Sequence, residues 1–343
     1  MWSDFTSSFE CSLRKADPAK CGVSSRPVLT KLELMRPCIA MLSGLAALSA
    51  LDAAGQTEGE DRRKPGFFIE LEGGAEYDSV VSLDELDLSS DEGDTAGLID
   101  ATVGVKQPLS DTVELDLSYN YSVIDYQDIS EVDQNSHIVS ADLTKDLGKL
   151  DIGLSGFYVN SDLDDEAFLE LARVSPYVSG FFADGWFARG AFVYSDKTND
   201  VNPGRDATAA IGEVDIYHFP SGKPWYINVG VKYRDEDARA ARFDYVGNTF
   251  KARYVHRLTF WDKKARFELA YRRLNRDYTS VTPSIGRERF DQRDRAGVEF
   301  QLSLTPAFDV KAYYTYSDWE SNLDSVNFHQ HVAGMTVRYR WDN

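Results

Sequence analysis

The chain has 343 residues, room for one large domain or two ordinary ones, and carries 37 Lys and Arg against 56 Asp and Glu, a formal net charge of -19. That sign argues against nucleic acid as a main partner, because phosphate binding needs a basic footprint. Apolar residues make up 43% and aromatics 13% of the chain. This is too much for a disordered acidic chain, yet no run of 18 apolar residues is available to cross a bilayer as a helix.

The first elements are those of export. Residues 1–34 lack periodicity and end just before Met35, so they are expected to be an upstream extension, with Met35 as the true start. Residues 35–54 follow the order of a signal peptide: a basic start at Met35-Arg36, an apolar or small run from Ile39 to Leu51, then small residues at Ala50, Ala53 and Ala54. Residues 55–65 are polar and read as a short periplasmic tail, which leaves 66–343 as the folded body. Cys11, Cys21 and Cys38 all precede it, so a body without thiols excludes a thiol nucleophile or a zinc–cysteine site.

From Gly66 onward the hydrophobic period is two. Fourteen strands are expected: 66–78, 95–106, 112–126, 136–146, 149–160, 167–181, 185–196, 206–218, 224–235, 243–260, 264–276, 290–304, 307–318 and 328–341. In the third, Val113, Leu115, Leu117, Tyr119 and Tyr121 oppose Glu114, Asp116, Ser118 and Asn120. The ninth sets Ile227, Val229 and Val231 against Asn228, Lys232 and Arg234. The sixth contains Pro176 and has no clear phase. Short turns alternate with longer polar loops at 79–94, 127–135, 196–206, 277–289 and 319–327. Aromatics flank both ends, with Phe67, Trp186, Trp225, Trp261, Phe308 and Trp341 near the short turns. Tyr77, Tyr126, Tyr158, Tyr194, Tyr233, Tyr316 and Trp319 lie near the long loops. Short turns at one end, long loops at the other and an aromatic girdle at each describe an all-β, 14-stranded antiparallel transmembrane β-barrel of outer-membrane type. The even strand number places both chain ends in the periplasm. A soluble sandwich is the alternative, but apolar faces on nearly every strand would leave open edges prone to aggregation.

With the polar face inward, the lumen can be read from the sequence. Residues 70–170 hold 26 acidic and 3 basic side chains, whereas residues 232–295 hold 17 basic and 10 acidic. Glu114, Asp116 and Asp142 are expected on one wall. Lys232, Arg234, Lys251, Arg253, Arg257, Arg266, Arg272 and Arg295 are expected on the wall facing it. Such a lumen either imposes a transverse field that selects charged solutes, or its charges pair and fill a polar interior. Loop 79–94 is long enough to fold inward as a plug.

Chemical motifs are sparse. The acidic loops, with Asp84, Glu85, Asp87, Asp91, Glu92 and Asp94 in one and Asp162, Asp164, Asp165 and Glu166 in another, lack the spacing of a calcium hand and read as solvated tips. His329 and His331 share a face of the last strand and read as interfacial polarity rather than metal ligands. No hydrolase signature is present, so no enzyme, cofactor or metal is expected. Gly73-Gly74 in the first strand permits curvature or close approach.

The last third carries Tyr271-Arg272-Arg273-Leu274-Asn275-Arg276-Asp277-Tyr278, then Arg293-Asp294-Arg295, Ser321-Asn322, and His331-Val332 leading to Val337-Arg338-Tyr339-Arg340-Trp341. This resembles the C-terminal barrel of surface lipoprotein assembly modifier proteins. The resemblance implies a fourteen-stranded barrel that helps move lipoproteins to the cell surface. That family places a tetratricopeptide-like periplasmic domain before its barrel, where this sequence has only the short tail, and Asp342-Asn343 follow Trp341 where many barrels end in an aromatic. Two functions stay open. One is a non-enzymatic pore or export conduit with a charge-polarised lumen. The other is a plugged barrel serving surface interaction or envelope assembly through its acidic loops. Expected partners are outer-membrane lipids, the assembly machinery that reads the last strand, and a small charged solute or a lipoprotein.

Overall fold

The computed structural model describes residues 65–90 and 92–343. The expected extension, signal peptide and cysteines fall outside the described residues, as do Asp91 and all of the tail except Pro65. Fourteen strands close into one antiparallel barrel. They are β1 (Gly66–Asp78), β2 (Asp94–Pro108), β3 (Val113–Tyr126), β4 (Gln134–Asp146), β5 (Leu150–Leu163), β6 (Glu166–Ala183) and β7 (Trp186–Asn199). The second half comprises β8 (Ala207–His218), β9 (Trp225–Ala238), β10 (Tyr245–Phe260), β11 (Lys263–Thr282), β12 (Arg287–Ser303), β13 (Phe308–Ser321) and β14 (Phe328–Asp342). Each strand pairs with its neighbours in sequence, and β1 closes on β14 from Phe68↔Asp342 to Asp78↔Val332. Closure satisfies every strand edge, the condition a sheet must meet inside lipid.

The burial pattern is inverted relative to a soluble barrel. Along β1, Glu70, Glu72, Glu76 and Asp78 are buried while Leu71 and Tyr77 are exposed. Ile99 is 57% exposed and Val139 55%, whereas Glu268 is 0% exposed. Apolar side chains thus form the outer surface and charged ones the inner, which is the arrangement of a barrel standing in a lipid membrane. A soluble sandwich is excluded, and the chain is an outer-membrane barrel.

Three expectations are corrected. Residues 277–289 are not a long loop, because β11 runs to Thr282 and β12 starts at Arg287, with a register shift between Asp277 and Val281. Tyr126 and Trp319 do not join the outer girdle. Both turn inward, where Tyr126 joins an apolar cluster and the Arg293 guanidinium lies 3.7 Å from the Trp319 ring centre. The phase of β6 is now fixed, with Arg173, Ser175 and Tyr177 buried and Pro176 exposed. Proline lacks the amide donor, and the pairing of β6 with β7 passes from Val174↔Tyr194 to Tyr177↔Ala191 without the two residues between.

The turns follow from residue chemistry. Asp164-Asp165 and Trp261-Asp262 each join two strands with both residues at positive φ, between 49° and 61°, the backbone of a tight hairpin turn. Four of the longer loops share another device, a single 3-10 turn at Ser130–Val132, Pro203–Arg205, Ala241–Phe243 and Asp324–Val326. In the first three the following aspartate turns back. Oδ1 of Asp133, Asp206 and Asp244 accepts the amides of Tyr126, Asn199 and Ala238 at 2.7, 2.9 and 2.7 Å.

Candidate functional site in the lumen and at its mouth

Each sequence-predicted lumen residue lies on the inward side of its strand. Lys106 holds Asp116 at 3.3 Å and Glu114 at 3.7 Å. Asp142 accepts hydrogen bonds from Thr144 at 2.7 Å and Tyr177 at 2.9 Å. On the other wall Lys232 pairs with Glu213, Lys251 with Asp215 at 3.0 Å and Arg234 with Glu236 at 2.5 Å. Arg253 and Arg266 share Glu268, and Arg266 also reaches Glu299. Arg295 donates to Ser317 at 2.9 Å. The Arg257 guanidinium lies 6.0 Å from the Tyr226 ring centre, and Arg272 stands in register with Lys251 and Arg295.

Sequence reasoning missed two things here. Carboxylates of Glu213, Asp215, Glu236, Glu268 and Glu299 interleave with the basic wall. Basic side chains also extend to Arg173 on β6 and to Arg189 and Lys197 on β7, all buried. The strict alternation of β7 carried a legible signal for the latter two. For Arg173, Pro176 hid the phase.

The mouth is built by loop 79–93, which folds inward. Its apolar side chains dock on the wall made by the early strands. Val81 packs with Ala96, Leu98, Ile124 and Tyr126, and Leu86 with the cluster of Ile138, Phe157 and Val159. A short strand pair, Ser82–Leu83 with Leu88–Ser89, shapes the tip. The acidic side chains reach the opposite wall. Arg293 Nη1 donates to Asp84 at 2.7 Å, and Lys197 Nζ donates to Glu85 at 3.1 Å. Asp87 takes a bidentate fork from Arg289, at 2.6 and 2.9 Å, and a further bond from Arg205. Burial works to raise the Asp87 pKa, but the bonds from Arg289 and the charge of Arg205 outweigh it and hold the carboxyl below the usual carboxylate range. The loop is therefore pinned by burial on one side and by ion pairs on the other. Asp84, Glu85 and Asp87, which read as part of a solvated tip, are a clamp, whereas Asp164, Asp165 and Glu166 of the second acidic loop are exposed as expected.

All five histidines lie on the outer surface beside aromatics. Nδ1 of His137 and of His331 is 2.7 Å from the hydroxyls of Tyr119 and Tyr314. His329 sits between Tyr316 and Asp318, His256 bonds Tyr254, and His218 stacks on Trp186. Among the described residues no group of three or more His, Cys, Asp or Glu is arranged to hold a metal ion.

No protein-family model matches the chain, and no curated protein matches it. Among solved structures it is similar to OmpT, an outer membrane protein of Vibrio cholerae, at 12% identity over 81% of this chain and 99% of that one, with a TM-score of 0.46. It is also similar to the outer membrane protein OprD from Pseudomonas aeruginosa, at 10% identity over 81% of this chain and 94% of that one, with a TM-score of 0.41. A third similar structure is OccAB3 of Acinetobacter baumannii, at 6% identity over 82% of this chain and 100% of that one, with a TM-score of 0.43. The assignment to an outer membrane rests on the closed antiparallel sheet, the apolar exterior and the charged interior.

Proposed function

We propose that the protein is a non-enzymatic passage for small charged solutes across the outer membrane, with loop 79–93 setting the width of its mouth. The observation that supports it is the array of charged side chains lining the inner face along the barrel, from Arg338 and Glu70 near the chain ends to Lys197 and Arg289 at the mouth. A water-filled lumen lined this way selects by charge, because fixed charges between low-dielectric walls act over several ångströms. Single-channel recording in planar bilayers tests the reading. Discrete, ion-selective steps are expected, with larger conductance after deletion of residues 80–90. A folded barrel that stays silent with and without the loop would overturn it.

The inward-folded loop favours a second reading, a plugged barrel that serves surface interaction or lipoprotein assembly, as the resemblance of residues 250–341 to the lipoprotein assembly modifiers implies. Loop deletion separates the two. A passage conducts as before or better, whereas a binder loses its partner.

A further inference from the structure

The mouth of the barrel carries a set of cations that stand outside the loop covering them. Lys197 comes from β7, Arg205 from the 3-10 turn after it, and Arg289 and Arg293 from β12. All four are buried, between 3% and 8% exposed. Each of the three guanidinium groups lies against an aromatic ring. Arg205 is 4.2 Å from the Phe243 ring centre, Arg289 is 4.6 Å from that of Tyr278, and Arg293 is 3.7 Å from that of Trp319. A guanidinium stacked on a ring has the plane of its fork fixed before any anion arrives. None of these rings belongs to loop 79–93, so the support of the array does not depend on the loop.

What the loop supplies is carboxylates. Asp84 meets Arg293, Glu85 meets Lys197, and Asp87 takes Arg289 and Arg205 together. Three acids within four consecutive residues thus engage four cations from three elements. The barrel wall adds Glu236 on Lys197 and Asp291 on Arg289. The loop sits on the array as a tethered ligand would, its carboxylates held by charge-assisted bonds that a carboxylate from another molecule can equally accept. We infer that Lys197, Arg205, Arg289 and Arg293 form a binding site for a solute bearing two or more carboxylates, and that loop 79–93 occupies this site as an internal competitor which the solute displaces. The site names the solute class of the proposed passage and the way its mouth opens. It rests on that reading for its role, but binding is measurable without current.

The test is isothermal titration of citrate into the refolded full chain in detergent, with acetate as the singly charged comparison. Citrate is expected to bind saturably and more weakly as sodium chloride is added, and acetate to bind far less well. The D84N/E85Q/D87N variant, or deletion of residues 80–90, should bind citrate at least about tenfold more tightly than the parent, because the competitor is gone. The deletion also removes the apolar contacts of Val81 and Leu86, which could keep a neutralised loop in place. Adding R205Q and R293Q to the deletion should abolish the gain. Arg289→Lys in the same background, which keeps the charge and loses the fork, should reduce it in a chain that folds if the former does not. Removing the same charge from the exposed tip, as D164N/D165N/E166Q, serves as the control without effect. Displacement has its own readout: saturating citrate should speed proteolytic cuts within 80–90 of the parent chain, and an unchanged rate or protection would overturn the competition. No saturable citrate heat in the deletion variant, the same affinity as in the parent, or acetate bound as well as citrate would overturn the site. Citrate binding by a barrel that never conducts would sink the passage and keep the site, and conductance without binding would do the reverse.

Discussion

At the scale of single residues, Asp87 concentrates the energetics of the mouth. It takes a positive φ of 55°, a conformation that aspartate and asparagine both tolerate, so Asp87→Asn removes the charge with little backbone cost. The Arg289 fork and the Arg205 bond then lose their charge assistance, and Arg289 keeps Asp291 as its ion-pair partner and the Tyr278 ring beneath it. The clamp should weaken by about 1–3 kcal/mol. Limited proteolysis of the folded barrel, with mass spectrometry of cuts within 80–90, should register this as cleavage about tenfold faster or more; an unchanged rate would mean that the apolar contacts of Val81 and Leu86 hold the loop alone. The pH dependence has a definite sign. The folded carboxyl titrates below its unfolded value, so its contribution is complete above the unfolded pKa of about 3.9 and disappears as pH falls through the lower folded pKa. Protection should be flat from pH 8 to 5 and fail only below about 4. Release between pH 5 and 7 would assign the latch to other groups.

Among the elements, the seam between β1 and β14 makes the sharpest demand on sequence. A Cβ on Gly74 would lie 2.2 Å from the Met335 carbonyl oxygen and 2.7 Å from Thr336 Cα, whereas one on Gly73 would meet only Leu98 O at 3.7 Å. Of the pair noted in the sequence, Gly74 is the close approach and Gly73 has room for a methyl group. Gly74→Ala should cost about 1–3 kcal/mol and lower the temperature at which the barrel loses its compact gel mobility. Gly73→Ala should be neutral or gain up to about 1 kcal/mol. Equal effects would mean that both strands simply shift to make room. Strands of this kind were legible because a period of two survives any tertiary context that buries one face. Strand ends were less so, since β11 and β12 extend past the lipid, where nothing selects apolar residues and Asp277 or Glu288 looks like loop. The chemistry of loop 79–93 was illegible for another reason. Glu85 and Asp87 find their partners 112 and 202 residues away, a distance over which spacing carries no signal. The common turn that closes three outer loops also escaped notice, because its only fixed residue is one aspartate.

For the whole molecule, the distribution of charge decides what the lumen does. Arg253 bonds Glu268 at 3.0 Å, and Arg257 rests beside Tyr226. Reversing both to glutamate sets a new carboxylate next to Glu268 and another beside Tyr226, and removes two cations. Reversal potentials under a salt gradient should move toward cation selectivity, and no movement would mean that the ions pass elsewhere or not at all. The eleven lumen residues named from sequence all took their positions from the alternation alone. The balance of the basic wall did not follow, because carboxylates such as Glu268 and Glu299 cancel a charge that a block count leaves standing.

The closing seam also sets the order of events in time. Glu72 on β1 bonds Thr336 on β14 across 264 residues of chain, and every other strand pair joins sequence neighbours. Hairpins can therefore form as the polypeptide emerges, but the ring can shut only when its final strand arrives. Joining ends so far apart costs about 5 kcal/mol in loop entropy, returned only when the ladder from Phe68↔Asp342 to Asp78↔Val332 is complete. Until that moment two unpaired edges face the surroundings, so the last strand to arrive is also the one that ends the chain's exposure to wrong partners.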